Sequence, residues 1–441
     1  VKFSYDGINN IKEMVNTNEL KELGKLTKES FTRERKMGFT KLINYILNKK
    51  GLSTNMEINN FYNKINEDNT ISNQSLLEQR LKLNPEVFIY LNNNYLKLFY
   101  NEHKDEVKTY KNYILKAIDG SDFEIPNTKE SKKVYGTIIN NKEDSIPRAT
   151  VSTSYDLLNK YVVEGFISPY RTGEVKSALE HIKNDKNITT DYNSIYIMDR
   201  GYVSIELMLY CIMNNIKFLI RLDGTAYKNE REGITTNDEY IDLKYTRGRI
   251  KRRYIKDETM RLYAKEIKSS KLRVVTYVLN TGEIEQLITN LEYDEFSYDD
   301  IVELYKKRWG IETLYYSLKS KLETERFTSS FKILIEQDFF SSILVFNMIQ
   351  SMMKEAEEKI EKNKYKHEMT INENMAIGLF KNEMIYIMLE QDDNKRLELY
   401  DKLINKISKY KIPIRKDRKY KINFRADNKH SFNKLKSFWK I

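Results

Sequence analysis

The chain has 441 residues, 40% hydrophobic and 32% charged, with a formal net charge of +11. That length supports two or three domains with real cores, and no apolar run approaches the roughly 18 residues of a membrane span. Cys211, the single cysteine, excludes a disulfide framework and a cysteine-based zinc site, and His103, His181, His367 and His430 lack metal-ligand spacing. Residues 1–6 have no apolar signal-peptide core, so a cytoplasmic protein is expected.

Residues 1–105 read as an all-helical domain. Phe31, Phe39, Leu42, Ile43 and Ile46 predict a helical stripe beginning at Phe31. Asn84-Pro85 marks a helix start, because Asn caps and Pro is tolerated in the first turn. Arg33, Arg35 and Lys36 are either DNA contacts or solvated surface. The texture changes near residue 108. Tyr113-Ile-Leu-Lys-Ala-Ile-Asp119-Gly-Ser is a short apolar run ending in Asp-Gly, which predicts a strand with a carboxylate at its end. A turn aspartate is the plain alternative, and Asp122 is a rival for the same role.

Strands and turns over 145–170 and a helix around Glu174 to His181 follow. Ser194-Ile-Tyr-Ile-Met-Asp199-Arg-Gly-Tyr202 is again an apolar strand ending in Asp. A helix capped by Ser204 and a strand over 216–222 complete a strand, Asp, helix, strand unit, which presents a carboxylate at a sheet's carboxyl edge. Residues 223–296 carry period-2 segments and predict a β-rich insertion. Within it, residues 244–273 hold 12 Lys/Arg against Asp257, Glu258 and Glu266.

The stretch Tyr305-Lys-Lys-Arg308-Trp309-Gly-Ile-Glu312-Thr-Leu-Tyr-Tyr-Ser-Leu-Lys319 has one helical pattern. Leu304, Ile311, Leu314 and Leu318 form its apolar stripe, and Tyr305, Arg308, Glu312 and Lys319 fall within about 60° of one another beside it. A solvated face with Arg308–Glu312 pairing would give the same spacing. Gly310 sits inside this helix at a cost of roughly 1 kcal/mol against Ala. An apolar core helix is expected over 333–353, a charged exposed stretch over 355–364, and helices over 370–410. Residues 402–441 carry 14 Lys/Arg against Asp417 and Asp427. Tyr410, Tyr420, Phe424, Phe432, Phe438 and Trp439 are interleaved with those charges, unlike a solvated tail, and such a block suits a polyanion.

Tyr, two residues, Arg, three residues, Glu, six residues, Lys is the signature of a known family. With Asp119-Gly120-Ser121 and Asp199-Arg200-Gly201 in order before it, the chain resembles the type-four group of bacterial insertion-sequence DDE transposases. The family shows Asp-Gly-Thr where this chain has Asp-Gly-Ser. The resemblance implies an α/β fold: an RNase H-like catalytic core, a mixed sheet flanked by helices, over 106–345. It places a β-rich insertion at 223–296, a helical end-recognition domain at 1–105 and a helical, basic C-terminal region at 346–441. By resemblance, Asp119, Asp199 and Glu312 bind two Mg²⁺ or Mn²⁺ ions and catalyse. Tyr305, Arg308 and Lys319 hold phosphates, and Trp309 stacks on a displaced base unless it is a core aromatic. The implied activity is cut-and-paste transposition of double-stranded DNA, through a hairpin, by a homodimer on paired inverted repeats. The alternatives are a non-catalytic DNA-binding relative and an RNase H-like nuclease without strand transfer.

Overall fold

The computed structural model describes residues 2–33, 35–139, 145–279, 281–361 and 364–414. The N-terminal region is helical: α1 Phe3–Val15, α2 Asn18–Leu23, α3 Phe39–Leu47, α4 Thr54–Lys64, α5 Asn73–Arg80 and α6 Glu86–Glu102. Asn84 caps α6, its Oδ1 accepting from the Glu86 N–H at 3.2 Å. The predicted helix from Phe31 does not form. Phe31 has φ +56, which no α-helix accommodates, and α3 begins at Phe39. The Phe31 ring instead packs edge-on against Phe39 from a loop, 5.4 Å between centroids.

The central elements in order are β1 Tyr113–Glu124, α7 Lys129–Tyr135, β2 Thr137–Ile139, β3 Ser145–Asp156, β4 Tyr161–Pro169, α8 Glu174–Asp185, β5 Asn193–Met198, α9 Ile205–Met213 and β6 Lys217–Arg221. Ser204 stands at the N-cap of α9, but its side chain accepts no capping hydrogen bond. Then follow α10 Lys228–Arg231, β7 Asp238–Lys244, α11 Glu258–Ile267, β8 Ser269–Val278 and β9 Ile284–Thr289. Strands β4, β3, β1, β5 and β6 lie side by side; β3 is antiparallel to its neighbours, and β1, β5 and β6 are parallel. This is the RNase H-like order. The parallel strands are buried on both faces, which is why Ile114, Leu115, Ala117 and Ile118, then Ile195, Ile197 and Met198, read as apolar runs, interrupted in β1 only by Lys116, which is itself buried against Asp185. The insertion extends the same sheet, with β9 antiparallel to β6 and β8 and β7 beyond it.

Helices cover both faces. α8 and α9 pack on Ile118, Tyr196 and Met198. α12 Tyr298–Lys307 packs on Leu115, Ile195 and Ile197. After α13 Gly310–Tyr316 comes α14 Lys332–Glu358, the spine of the helical layer, whose buried residues join one cluster with α1, α3 and α6. α14 runs through the expected domain boundary at 345/346, so the catalytic and C-terminal regions share a helix. The stretch 355–364, expected to be exposed, is anchored in part: Ala356 and Ile360 are buried and Glu355 accepts from the Tyr400 hydroxyl at 2.6 Å. β10 Met369–Ile371, α15 Glu373–Leu389, α16 Asp393–Lys409 and β11 Lys411–Pro413 complete the described chain. Tyr420, Phe424, Phe432, Phe438 and Trp439 lie outside the described residues, as does the basic block beyond residue 414. Among the described residues, no helix is long and apolar enough to cross a membrane.

Candidate active site

In the parallel pairing of β1 with β5, the last partners are Ile118 and Met198. Asp119 and Asp199 come next on each strand, and Asp199 remains extended at φ −82, ψ 177. The two carboxylates therefore stand side by side at the carboxyl edge of the two central strands. Side chains alternate along a strand, so both share the face of Leu115, Ile195 and Ile197, the face under α12. β1 does not end at Asp119 as expected. It continues to Glu124 because β3 goes on pairing with it, Asp119 opposite Thr153 and Glu124 opposite Arg148. By the same alternation Asp122, an exposed residue, falls on the opposite face from Asp119.

The signature stretch is not one continuous α-helix. α12 ends at Lys307, and the chain tightens through Arg308 and Trp309 with i to i−3 hydrogen bonds, Arg308 N–H to Tyr305 O at 3.0 Å and Ile311 N–H to Arg308 O at 3.0 Å. α13 then starts at Gly310. A Cβ there would lie 2.9 Å from Leu157 Cδ2, so glycine permits the close approach of the β3–β4 turn. After Tyr316 the helix loosens into a π-helical turn, Ser317–Lys321, with Leu322 N–H to Ser317 O at 2.8 Å. Such departures from the α ladder are common at functional sites.

Despite these breaks, all four signature residues still face the sheet edge. The buried Arg308 guanidinium reaches two carboxylates: Nη2 donates to Glu312 Oε1 at 3.0 Å, and Nη1 is 4.0 Å from Asp119 Oδ2. The Tyr305 hydroxyl donates to Asp199 Oδ1 at 3.4 Å. Lys319 Nζ donates to the Asp122 carbonyl at 2.5 Å and lies 4.0 Å from Glu325 Oε1. The Tyr315 hydroxyl donates to the Asp119 carbonyl at 2.7 Å and ties α13 to β1. Trp309 is 61% exposed, so it is not a core aromatic, and the Arg308 guanidinium lies 5.5 Å from its ring.

Burial pushes the Asp119 carboxyl up to about 6. The Gly120 N–H and Arg308 oppose that shift, and the negative charges of Asp199 and Glu174 add to it. Among the described residues no three His, Cys, Asp or Glu side chains already surround one point at coordinating distance. Arg308 instead lies between Asp119 and Glu312, its single positive charge offsetting part of theirs. A divalent cation nonetheless fits this donor set: the groups are carboxylate oxygens, which hard ions prefer, and the crowded acids lack enough positive charge of their own.

Two contributors escaped the sequence reading. Arg221, at the end of β6, sits 3.9 Å from Asp199 Oδ1 and 2.9 Å from Glu285 Oε1. Its signal was its position at the end of the strand beside β5. Tyr202, quoted only as part of a motif, is buried with its hydroxyl close to the acidic edge. The basic block of the insertion divides into two sets. Arg273 is fully buried, its Nε donating to Asp238 Oδ1 at 2.7 Å, while Arg249 pairs with Glu230 and Arg261 donates to backbone carbonyls. These three are structural. Arg247, Lys251, Arg252 and Arg253 are exposed, and Arg253 stacks on the exposed Tyr254 at 4.4 Å.

Comparison with known sequences matches residues 111–348 to the Transposase DDE domain family. A search of the curated proteins found no match. Among solved structures, the chain resembles a piggyBac transposase in a synaptic complex with hairpin DNA. That likeness has 10% identity and a TM-score of 0.44, over 90% of this chain and 85% of that one.

Proposed function

The chain belongs to the Transposase DDE domain family, and from that premise we propose that Asp119, Asp199 and Glu312 are its catalytic, metal-binding carboxylates. It is a DDE transposase, a polynucleotidyl transferase and endonuclease that acts on DNA, and the family works with divalent metal ions. The observation that supports the residue assignment best is the Arg308 guanidinium spanning Asp119 and Glu312, beside an Asp199 that register sets next to Asp119. Mg²⁺ or Mn²⁺, two ions in our reading, would be held by these three side chains. Held there, such ions would supply positive charge against the scissile phosphate and would favour ionisation of the attacking hydroxyl.

The protein's own groups position the DNA. Each chemical step forms one phosphorus–oxygen bond as another breaks, with water or a 3′-hydroxyl attacking, so placement of the phosphate decides the rate. Arg308, whose charge offsets part of that of Asp119 and Glu312 in the free protein, is positioned to receive that phosphate. Tyr305 and Lys319 flank it, and the exposed Trp309 ring offers a surface for a displaced base. In this reading the helical region 1–105 recognises terminal inverted repeats, and the C-terminal region contributes DNA binding or dimer contacts. The protein works as a homodimer on two ends, by cut-and-paste chemistry through a hairpin, in the bacterial cytoplasm. The signature spacing supports the type-four insertion-sequence group.

The test is nicking of a labelled duplex carrying the element's own terminal repeat, with Mg²⁺ or Mn²⁺, by wild type and Asp199→Ala. Cutting at the repeat boundary should vanish in the variant while repeat binding persists. Equal cutting by Asp199→Ala removes that residue from the site. Tight binding without cutting by either protein favours the non-catalytic alternative.

A further inference from the structure

We propose that Glu174 is a fourth carboxylate of the catalytic centre, a ligand to a divalent cation shared with Asp199; the proposal rests on the three-carboxylate reading above. Glu174 is the first residue of α8, which packs on the sheet face opposite α12. It therefore approaches the carboxyl edge from the other side than Glu312 does.

Three observations place it there. The first is the seat of its carboxylate. A Cβ built on Gly201 would lie 2.1 Å from Glu174 Oε2, so the carboxylate rests against the bare backbone two residues after Asp199. Any side chain at position 201 would displace it. This gives the glycine of Asp199-Arg200-Gly201 a reason that the turn alone does not.

The second is charge. Glu174 makes no hydrogen bond or ion pair with another described residue, and the charged groups that act on it are Asp199 and Asp122. It acts in turn on Asp119. The three carboxylates of the proposed centre each have a cation near them: Arg308 for Asp119 and Glu312, Arg221 for Asp199. Acids gathered without a matching cation are what an oxygen-ligated ion requires.

The third is Tyr202. Its side chain is 1% exposed, and its hydroxyl makes no hydrogen bond with any described residue. The groups that act on that hydroxyl include Asp119, Glu174 and Asp199, and a Cβ on Gly120 would stand 3.9 Å from it. Buried hydroxyls are nearly always satisfied. One held unsatisfied among three carboxylates points to a polar ligand in that space, and Mg²⁺ and Mn²⁺ carry waters that can bond it.

The experiment is calorimetric titration of Mn²⁺ into the full chain, for wild type, Glu174→Gln, Gly201→Ala and Asp199→Ala, with melting temperatures taken without metal. Glu174→Gln should weaken Mn²⁺ binding at least about tenfold, no less than the loss of an outer partner of a ligand. Its metal-free melting temperature should hold or rise, because a repelled charge is gone. Gly201→Ala meets only the far end of a flexible side chain, so it should fold and weaken Mn²⁺ binding in the same direction. Unchanged Mn²⁺ affinity in Glu174→Gln, with loss in Asp199→Ala, overturns this proposal and leaves the catalytic trio intact. Unchanged affinity in Asp199→Ala overturns the trio reading itself. A lowered metal-free melting temperature in Glu174→Gln assigns the carboxylate to the fold and overturns the proposal as well.

Discussion

Asp338 fastens the N-terminal helices to α14, and replacing it with Asn should loosen them measurably. Its carboxylate is 6% exposed and accepts from Arg80 Nη2 at 2.6 Å, from Lys49, and from the Thr328 N–H and hydroxyl at 3.0 and 2.7 Å. Arg80 is equally enclosed, with Nε on Gln337 Oε1 at 2.9 Å and Nη1 on Thr328 Oγ1 at 2.6 Å. Asp338→Asn keeps the shape and leaves two buried cations without their shared anion. Removing one partner of a buried pair costs about 3–5 kcal/mol. Lys49, whose pKa burial already lowers, can give up its proton, whereas Arg80 cannot. That places the expected cost near the lower end, about 3 kcal/mol, or roughly 3 °C of melting temperature for a chain of this size, at about 2.1 cal/mol/K of unfolding entropy per residue. Circular dichroism melts at neutral pH read this directly. The pH dependence gives a second reading. Burial pushes the Asp338 carboxyl up, but Arg80 and then Lys49 outweigh it and hold it well below the usual carboxylate range. A depressed carboxyl stabilises the fold above its unfolded value of about 4, and that stability is lost as pH falls from there toward the folded value. The gap between wild type and Asp338→Asn should therefore shrink on acidification below about pH 4. A melting difference under about 1 °C at neutral pH, or a gap that does not narrow in acid, would refute the reasoning.

Two further outcomes follow from exposure. Trp309→Ala should leave stability within about 0.5 kcal/mol, as for an exposed side chain. It should slow end cutting by about five- to 150-fold, the equivalent of the ~1–3 kcal/mol of base stacking; unchanged cutting rates would exclude the ring from the DNA. Joint replacement of Lys251, Arg252 and Arg253 by Ala should flatten the log–log salt dependence of DNA binding by about 2.7, since each neutralised phosphate contributes about 0.9. Melting should not change. An unchanged salt slope would place that loop away from the nucleic acid.

The core strands and their carboxylates were legible because burial leaves a local trace. A strand covered on both faces is mostly apolar, so Ile114–Ile118, with the buried and paired Lys116 its one exception, and Ile195–Met198 stand out, and the next residue after each is Asp119 or Asp199. That Asp119 rather than Asp122 stands beside Asp199 follows from the register with β5, which no single strand contains. The break after Arg308 was invisible for a related reason. The 3.6-residue apolar pattern runs through it unchanged, and the neighbour that leaves no room for a side chain at Gly310, where α13 begins, is Leu157, distant in sequence. Composition likewise counted Arg273 with the DNA-binding cations, but Asp238 on the neighbouring strand claims it.

The acids mark where sequence reasoning reaches its end. Asp300 and Glu174 both sit in the first turn of a helix, where a negative charge favours the helix dipole, and nothing local separates them. In the fold, Asp300 closes a capping box with Ser297 and receives Lys111 at 2.7 Å, so its charge is spent within the protein. Glu174 receives no cation from any described residue, and the charges that act on it are those of Asp199 and Asp122. Whether a carboxylate is structural or available to a ligand depends on which distant cation reaches it. Topology decides that, and here it leaves Glu174 without a cation among the described residues, beside the edge that carries Asp119 and Asp199.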